Sequence, residues 1–385
     1  MSRIEKLIEE LCPEGVLHKP LKEIAKIERG VRVVKSQLSE TEGFPVFQNS
    51  LTPLGYNNKA NVPANSTFVI AAGAAGEVGY SKQEFWAADD CFHFNSNLLN
   101  NRFLYHVLLQ NQQLLLSKVR KASIPRLART ALEQLIVPIP PQPVQEEIVR
   151  ILDCFTELEA ELEAELEARK EQYIYYRDKL LDANTEAAER TTLGQCCDVL
   201  TGFPFDSKKF SNHGVRLMRG MNVKRGYLDF SEENNRYWEN INGLEKYLLK
   251  DGDIIIAMDG SLVGRSFGVV QKGDLPLLLV QRVARIRSDK VKLRYLYHHI
   301  ARVLPAYTDK KKTAGAIPHI SSKDIQSIPI TLPSIETQKR VANILDRLEA
   351  LIYDMDSGIP TEIEARRKQY EYYRDKLLTF KELEA

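Results

Sequence analysis

The heptapeptide YYRDKLL occurs twice in the chain, at residues 175–181 and 372–378. It closes two longer matching blocks, EARKEQYIYYRDKLL (167–181) and EARRKQYEYYRDKLL (364–378), at an offset of 197 residues. Upstream, SIPRLARTALEQLIVPIPPQPVQEEIVRILD (123–153) aligns without a gap with AIPHISSKDIQSIPITLPSIETQKRVANILD (316–346) at an offset of 193. Such self-similarity predicts an internal duplication, in which the second copy is four residues longer between the matched blocks.

Each copy carries the pattern of a long amphipathic helix. The prolines of IVPIPPQPVQEEIV cannot lie inside a helix, so they mark a strand end and a helix start near Val144, matched in the second copy by Ser334 or Ile335. Apolar residues then recur on one helical face, first at Ile148, Ile151, Leu152, Phe155, Leu158 and Leu162. In the second copy we expect a break at Ser357–Pro360 before the helix resumes.

The linker between the two copies predicts how the helices pair. A continuous helix from Val144 to Leu181 would be about 57 Å long at roughly 1.5 Å per residue. The nine residues Asp182–Arg190 can reach at most about 30 Å, so they cannot return to the start of the helix. An antiparallel pair is therefore favoured, with a globular domain at each end.

The remaining sequence predicts a mixed α/β (α+β) fold class. Strand-like runs such as STFVIAAG, DGDIIIAMDG and QRVARIRS accompany a helical run, NRFLYHVLLQNQQLLLSKV. We expect four parts: a globular domain at 1–140, a central spacer helix at 141–185, a second globular domain at 186–333 and a distal spacer helix at 334–385. The two globular domains are thus related by internal duplication and separated by two long antiparallel helices of the coiled-coil type.

Charge is unevenly distributed although the net charge is only +1. Residues 1–140 carry about +3 and residues 201–320 about +9, so the rest of the chain is acidic. SKVRKASIPRLAR (117–129) and DKKKTAGAIPHI (309–320) are equivalent basic loops in the two copies. Recurrence of positive charge at the same place in both copies favours contact with phosphates, although a solvated charged surface is the alternative. The candidates for phosphate contact are Lys121, Arg126, Lys310, Lys311 and Lys312.

Base recognition requires side chains with paired hydrogen-bonding groups, such as Arg, Asn and Gln, presented on loops. VFQNSLTPLGYNN (46–58) and RLMRGMNVKRGY (216–227) supply them. The candidates are Gln48, Asn49, Arg219, Asn222 and Arg225, with an ordinary turn-forming role as the alternative. The glycine-rich GAAGEVGY (73–80) and MDGSLVGR (258–265) each follow a strand-like run, and we interpret them as tight turns that allow close backbone approach.

Motifs for catalysis, metal binding or membrane insertion do not emerge from the sequence. There is no GxxxxGK[ST], no HExxH and no Asn/Asp-Pro-Pro-Tyr of amino-methyltransferases. The five cysteines form no CxxC pair, and His298, His299 and His319 have no acidic or thiol partner at ligand spacing. No apolar run is long enough for a signal peptide or a bilayer span. We expect a non-catalytic, metal-free, cytoplasmic protein.

Several motifs together resemble the specificity subunits of type I restriction-modification systems. These are the duplicated PxPxxxQ helix start, the repeated EARxxQYxYYRDKLL, the ELEAELEAELEA run (157–168), CPEGV (12–16) and TLGQ (192–195). The resemblance covers nearly the whole chain. It implies two target recognition domains that read a bipartite site in double-stranded DNA, and two spacer helices.

The same resemblance implies the partners. Two adenine-specific DNA methyltransferase subunits would dock on this chain, and restriction (motor-nuclease) subunits can join such complexes. S-adenosylmethionine, ATP and Mg would then belong to those subunits, and this chain would carry no cofactor. Two alternatives remain open at this point: a specificity subunit of a combined restriction-methylation enzyme, and a coiled-coil scaffold that binds no DNA.

The helix blocks would serve helix pairing and methyltransferase docking, rather than stacking of bases on tyrosines. The residues concerned are Leu158, Leu162, Tyr173, Tyr176, Leu348, Tyr370 and Tyr373. Within the ELEA run, four residues advance a helix by about 6 Å and rotate it by about 400°, so each repeat lengthens the rod while nearly keeping its face. We interpret the run as an element that sets the distance between the half-sites; a solvated acidic face is the alternative.

Overall fold

The computed structural model describes residues 3–182, 188–260, 262–309, 319–353 and 358–383. The chain divides into two compact units. Unit 1 comprises Met1–Ala164 and Glu362–Ala385, and unit 2 comprises Glu165–Thr361. Each unit therefore combines a globular domain with helical segments drawn from both copies of the repeat.

The helices of the described residues are α1 (Arg3–Leu11), α2 (Leu21–Ile24), α3 (Asn101–Gln110), α4 (Gln112–Ser117), α5 (Arg129–Glu133), α6 (Gln142–Asp182), α7 (Leu193–Cys196), α8 (Leu293–Asp309), α9 (Ser322–Gln326), α10 (Ile335–Tyr353) and α11 (Ile359–Leu378). The run 101–119, predicted as one helix, is divided at Asn111. The side-chain amide of Asn111 donates to the carbonyl of Val107 at 2.9 Å. Such local bonds compete with helix continuation.

The strands of unit 1 are β1 (Leu17–Pro20), β2 (Lys26–Arg29), β3 (Phe44–Phe47), β4 (Tyr56–Asn57), β5 (Ser66–Ile70), β6 (Val78–Ser81), β7 (Trp86–Ala87), β8 (Cys91–Asn95) and β9 (Ile136–Ile139). They form an antiparallel sheet in the order β2-β8-β5-β6, a mixed sheet β4-β3-β7 and the antiparallel pair β1-β9. Strand β5, STFVI, is buried along its whole length, as its β-branched and aromatic residues favour.

The strands of unit 2 are β10 (Glu189–Thr192), β11 (Asp198–Thr201), β12 (Val215–Met218), β13 (Tyr237–Trp238), β14 (Ile254–Ala257), β15 (Phe267–Val269), β16 (Leu277–Leu279), β17 (Val283–Arg287) and β18 (Pro329–Leu332). Their sheets are β11-β17-β14-β15, β13-β12-β16 and β10-β18. This repeats the strand order of unit 1, including one parallel pair, β3-β7 in unit 1 and β12-β16 in unit 2. The duplication therefore extends through the globular domains, whose sequences have diverged.

The long helices begin and end close to where the sequence places them, but α6 starts at Gln142 and includes Pro143, which a helix tolerates in its first turn. Helix α6 runs without a break for 41 residues, and α10 starts at Ile335. Helix α11 starts at Ile359, within the predicted break Ser357–Pro360. None of the helices in the described ranges is long and apolar enough to cross a membrane.

Within unit 1, α6 and α11 run antiparallel. Arg367 pairs with Glu159 at 2.5 Å and with Glu163 at 2.6 Å, whereas Tyr373, further along α11, stacks on Phe155, earlier in α6. The two glutamates are the third residues of the first two ELEA repeats. The four-residue period thus presents successive carboxylates to one guanidinium, as the (i, i+4) geometry of a helix requires.

Candidate nucleic-acid interface and helix contacts

The glycine-rich turn of unit 1 joins the two segments predicted to contact DNA. The N–H of Gly73 donates to the carbonyl of Pro125 at 3.1 Å, next to Arg126, and the N–H of Ala74 donates to the carbonyl of Asn49 at 2.9 Å. Gly73 has a φ of +86°, and a Cβ there would lie 2.7 Å from the Asn49 carbonyl oxygen. Only glycine fits this position, which confirms the expected close approach.

Three of the four candidate residues in unit 1 are exposed. Asn49, Lys121 and Arg126 present their side chains to solvent, and Gln48 is half-buried. A backbone bridge also pairs Arg126 with Arg120. The turn therefore brings the segments that carry Asn49 and Arg126 together, and both side chains are exposed.

Unit 2 repeats this arrangement with different side chains. Asp259, in the glycine-rich turn, pairs with His319 in an antiparallel bridge, and the N–H of Ile320 donates to the carbonyl of Met258 at 2.8 Å. A Cβ added at Gly220 would lie 3.9 Å from Oδ1 of Asp259. The segment 216–227 therefore reaches the glycine-rich turn here as well.

The candidates in segment 216–227 differ in accessibility. Arg225 is exposed. Arg219 is half-buried above the ring of Phe210, burial lowers its pKa, and Nη1 has no hydrogen-bond partner among the described residues. Asn222 is fully buried: its amide accepts from the Arg219 N–H at 3.1 Å and donates to the Asp229 carbonyl at 2.9 Å. In this conformation Asn222 organises the loop and offers no free group for base contact.

Two further points concern the basic residues of unit 2. Lys310, Lys311 and Lys312 lie outside the described residues. Arg282, which our reading of the sequence did not single out, forms an ion pair with Asp259 at 3.1 Å. The sequence signals for Arg282 were general ones: it lies in the strand-like run QRVARIRS and opens a basic stretch, 282–312, that holds ten basic and two acidic residues.

The tyrosines of the repeated helix block are divided between interior and surface. Tyr370 of α11 donates its hydroxyl to Nδ1 of His106 at 3.0 Å, and Nε2 of His106 lies 3.0 Å from Oδ1 of Asp153. Arg102 also donates to Asp153, at 2.7 Å. Burial lowers the pKa of His106. The imidazole is therefore neutral and carries its proton on Nε2.

Unit 2 contains the same cluster, built from the other copy of the block. Tyr173 of α6 bonds to Nδ1 of His298 at 3.1 Å, and Nε2 of His298 lies 2.7 Å from Oδ1 of Asp346. Arg294 donates to Asp346 at 2.7 Å. In each unit, the cluster thus fixes a helix from one copy of the repeat to the globular domain of the other copy. Sequence reasoning missed both clusters, because their members are far apart in the chain.

The buried cluster of unit 2 is also the place where a cation could be considered. His298, Asp346 and Glu349 bring ligand atoms within 4.8 Å of one another. The guanidinium of Arg294, however, already donates to both carboxylates. Its positive charge already pairs with both carboxylates, so this arrangement is better described as a structural ion-pair network.

The other tyrosines of the two blocks point outward. Tyr175 and Tyr176 pack edge to face with centroids 5.3 Å apart, and so do Tyr372 and Tyr373. All four are exposed. Each copy of YYRDKLL therefore offers a matching aromatic surface.

The apolar candidates are all half-buried. Leu158 and Leu162 are half-buried on α6. Leu348 packs against the core of unit 2, to which Tyr173 also belongs.

Comparison with known proteins identifies the class. The model of the type I restriction modification DNA specificity domain matches residues 13–168 and again 186–365. The chain therefore belongs to this family and contains two copies of its domain, which confirms the resemblance noted from the sequence.

Individual relatives agree with this assignment. The chain is 29% identical over 405 residues to the specificity subunit of the type I restriction enzyme EcoR124I/EcoR124II of Escherichia coli, covering 99% of this chain and 97% of the relative. It is 32% identical to a putative type I restriction enzyme specificity subunit of Haemophilus influenzae, covering 98% of each. Among solved structures, the S subunit of a type I system from M. genitalium matches with a TM-score of 0.63 at 16% identity, over 94% of this chain and 96% of that one.

Proposed function

We propose that this chain is the DNA-specificity subunit of a type I restriction-modification complex and reads a bipartite target, one half-site per unit. The observation that carries the proposal is the repetition of one surface. In both units a glycine-rich turn lies against a segment of polar side chains and against the end of a basic loop. Divergent side chains on a common scaffold are what two different half-sites require.

Phosphate contacts would supply the sequence-independent part of DNA binding. Lys121 and Arg126 in unit 1, and Lys310 to Lys312 in unit 2, are our candidates. Each neutralised phosphate releases counterions, so affinity should fall steeply with rising salt. Gln48, Asn49, Arg219 and Arg225 are candidates for base contact.

Catalysis would belong to partner subunits. The twin tyrosine surfaces support the docking of two copies of one methyltransferase, because Tyr175 and Tyr176 in unit 2 are matched by Tyr372 and Tyr373 in unit 1. Aromatic side chains are favoured at protein interfaces. S-adenosylmethionine, ATP and Mg would be bound by the methyltransferase and restriction subunits. The complex would act on DNA in the cytoplasm.

Methylome sequencing tests the proposal. A host without other adenine methylation would express this chain together with its methyltransferase, with the methyltransferase alone as the control. We expect methylated adenines in a bipartite motif with a fixed unread spacer, and only when both proteins are present. Modified adenines without a bipartite motif would contradict the proposal, and absence of DNA binding in the presence of the methyltransferase would favour a scaffold role.

Docking can be tested separately by stoichiometry. Replacing Tyr175 and Tyr176 by alanine should reduce the number of bound methyltransferase subunits from two to one, and so should replacing Tyr372 and Tyr373. Combining the four changes should abolish the complex. Native mass spectrometry measures these ratios directly. Two bound subunits in the fourfold variant would show that the tyrosine surfaces are not the docking sites.

A further inference from the structure

Arg282 occupies an unusual backbone conformation at the tip of a turn in unit 2. The N–H of Val283 donates to the carbonyl of Val280, and Arg282 is the third residue of this turn, with a φ of +66°. Left-handed backbone strains a residue that has a side chain, and glycine is the usual occupant of this turn position. Such strain is concentrated at functional positions, where the side chain is needed.

The side chain of Arg282 is both exposed and oriented. It is 71% exposed, and Nη1 lies 3.1 Å from Oδ2 of Asp259, a carboxylate that is itself largely shielded. One nitrogen is thus engaged, while the remaining donors of the guanidinium stay available. An arginine held in this way can still form the bidentate pair with O6 and N7 of a guanine.

Asp259 places Arg282 within the candidate interface of unit 2. As described above, Asp259 bridges to His319 at the end of the basic loop 309–320, and it lies beside Gly220 in the segment that carries Arg219. The carbonyl of Arg282 in turn accepts the N–H of Met258 at 2.9 Å. Through Asp259, Arg282 is therefore linked to described residues of all three segments proposed to contact DNA in unit 2.

The equivalent position in unit 1 carries the opposite charge. There the N–H of Ala71 donates to the carbonyl of Asp90, just as Met258 donates to Arg282 in unit 2. Asp90 forms an ion pair with Arg29 at 3.7 Å. A carboxylate and a guanidinium select different bases, so this position distinguishes the two units chemically.

We propose that Arg282 is a base-reading residue of unit 2, directed at a guanine in the major groove, and that Asp259 is its positioning residue. This inference rests on the proposed function and adds to it one specificity-determining position. It also explains why this strained position does not carry glycine. Glycine would relax the backbone but would remove the guanidinium that reads the base.

Arg282→Gly is the decisive variant, because it removes the guanidinium and relieves the backbone at once. The complex of the full chain with its methyltransferase would be assayed by competition binding on its methylome-defined target and on every single base-pair substitution of that target. We expect discrimination at one G·C pair of one half-site to fall by about 5- to 150-fold. The other half-site should keep its full profile. The melting temperature should stay the same or rise.

Three further variants complete the test. Asp259→Asn should weaken discrimination at the same base pair, because the guanidinium loses its ionic partner. Arg282→Asn, which tolerates left-handed backbone, replaces the glycine variant if that variant melts lower than the wild type. Arg190→Ala removes an exposed arginine of strand β10 in the same unit, outside the segments proposed to contact DNA; it is the matched control and should leave the base profile unchanged.

An unchanged base profile in Arg282→Gly would overturn the inference, and so would an equal loss of affinity on all sequences, which would indicate a phosphate contact. Both results leave the proposed function intact if the wild-type complex still shows a bipartite motif. A wild-type complex without such a motif would instead contradict the proposed function itself.

Discussion

Tyr370→Phe removes one hydroxyl from an enclosed chain of hydrogen bonds in unit 1. The imidazole of His106 has no exposed surface. Its Nε2 proton is directed at Asp153, so Nδ1 depends on Tyr370 for a donor. Phenylalanine keeps the ring and its packing, but it leaves a buried acceptor unpaired. Such a loss costs about 1–3 kcal/mol. For a unit of this size it corresponds to a fall in melting temperature of about 2–12 °C.

Differential scanning calorimetry of the variant and of two comparison proteins measures this effect. Tyr372→Phe, two residues away and 61% exposed, should change stability by less than about 0.5 kcal/mol. Tyr173→Phe should destabilise unit 2 as Tyr370→Phe destabilises unit 1, because His298 occupies the equivalent cluster. If Tyr370→Phe changes the melting temperature as little as Tyr372→Phe does, the Tyr370 hydroxyl does not supply the hydrogen bond that His106 needs, and the reasoning is wrong.

Further predictions concern spacing, a turn and pH. Deleting or adding one ELEA repeat within Glu157–Ala168 should change the unread spacer by about one base pair and leave both half-sites unchanged, as methylome sequencing would show; altered half-sites with a constant spacer would refute the distance-setting role. Gly73→Ala should lower the free energy of unfolding by roughly 1 kcal/mol or more, because alanine would have to adopt a positive φ with its Cβ against a backbone oxygen. It should impair recognition by unit 1 only, as competition binding with each half-site altered in turn would reveal. Burial lowers the pKa of His106, so the folded state keeps it neutral while the unfolded chain binds a proton below about pH 6.5. The stability that His106 contributes is present above that pH and is lost as the pH falls through its lowered pKa in the folded state. His106→Asn should therefore flatten the stability–pH profile, and an equally steep profile would exclude His106 as the cause.

Much of the architecture could be predicted because it depends on local patterns. Proline placement and the apolar period define where α6 and α10 begin, and the repeated block shows the duplication before any contact is known. The runs STFVI, IIIA and VARIR became strands β5, β14 and β17, since β-branched residues favour extended backbone in buried sheets. The glycine-rich segments were correctly interpreted as turns of close backbone approach.

The candidate interface could be predicted only in part. Asn49 and Arg225, selected as amide and guanidinium side chains on loops, are exposed and remain predicted base contacts. The same sequence pattern selected Asn222, whose side-chain amide forms its hydrogen bonds within its own loop. Residue type and loop position do not reveal which way a polar side chain turns, because both orientations satisfy its hydrogen bonds.

The sequence by itself determined the duplication, the long helices and the family. Only the tertiary structure decided which copy of the repeated helix block packs into which unit. Tyr370 bonds to His106 across 264 residues, and Tyr173 bonds to His298 across 125. The ion pair of Arg282 with Asp259 likewise joins two separate turns. Periodicity and propensity describe the backbone and the face of a single element, whereas these contacts form only when distant elements close on one another.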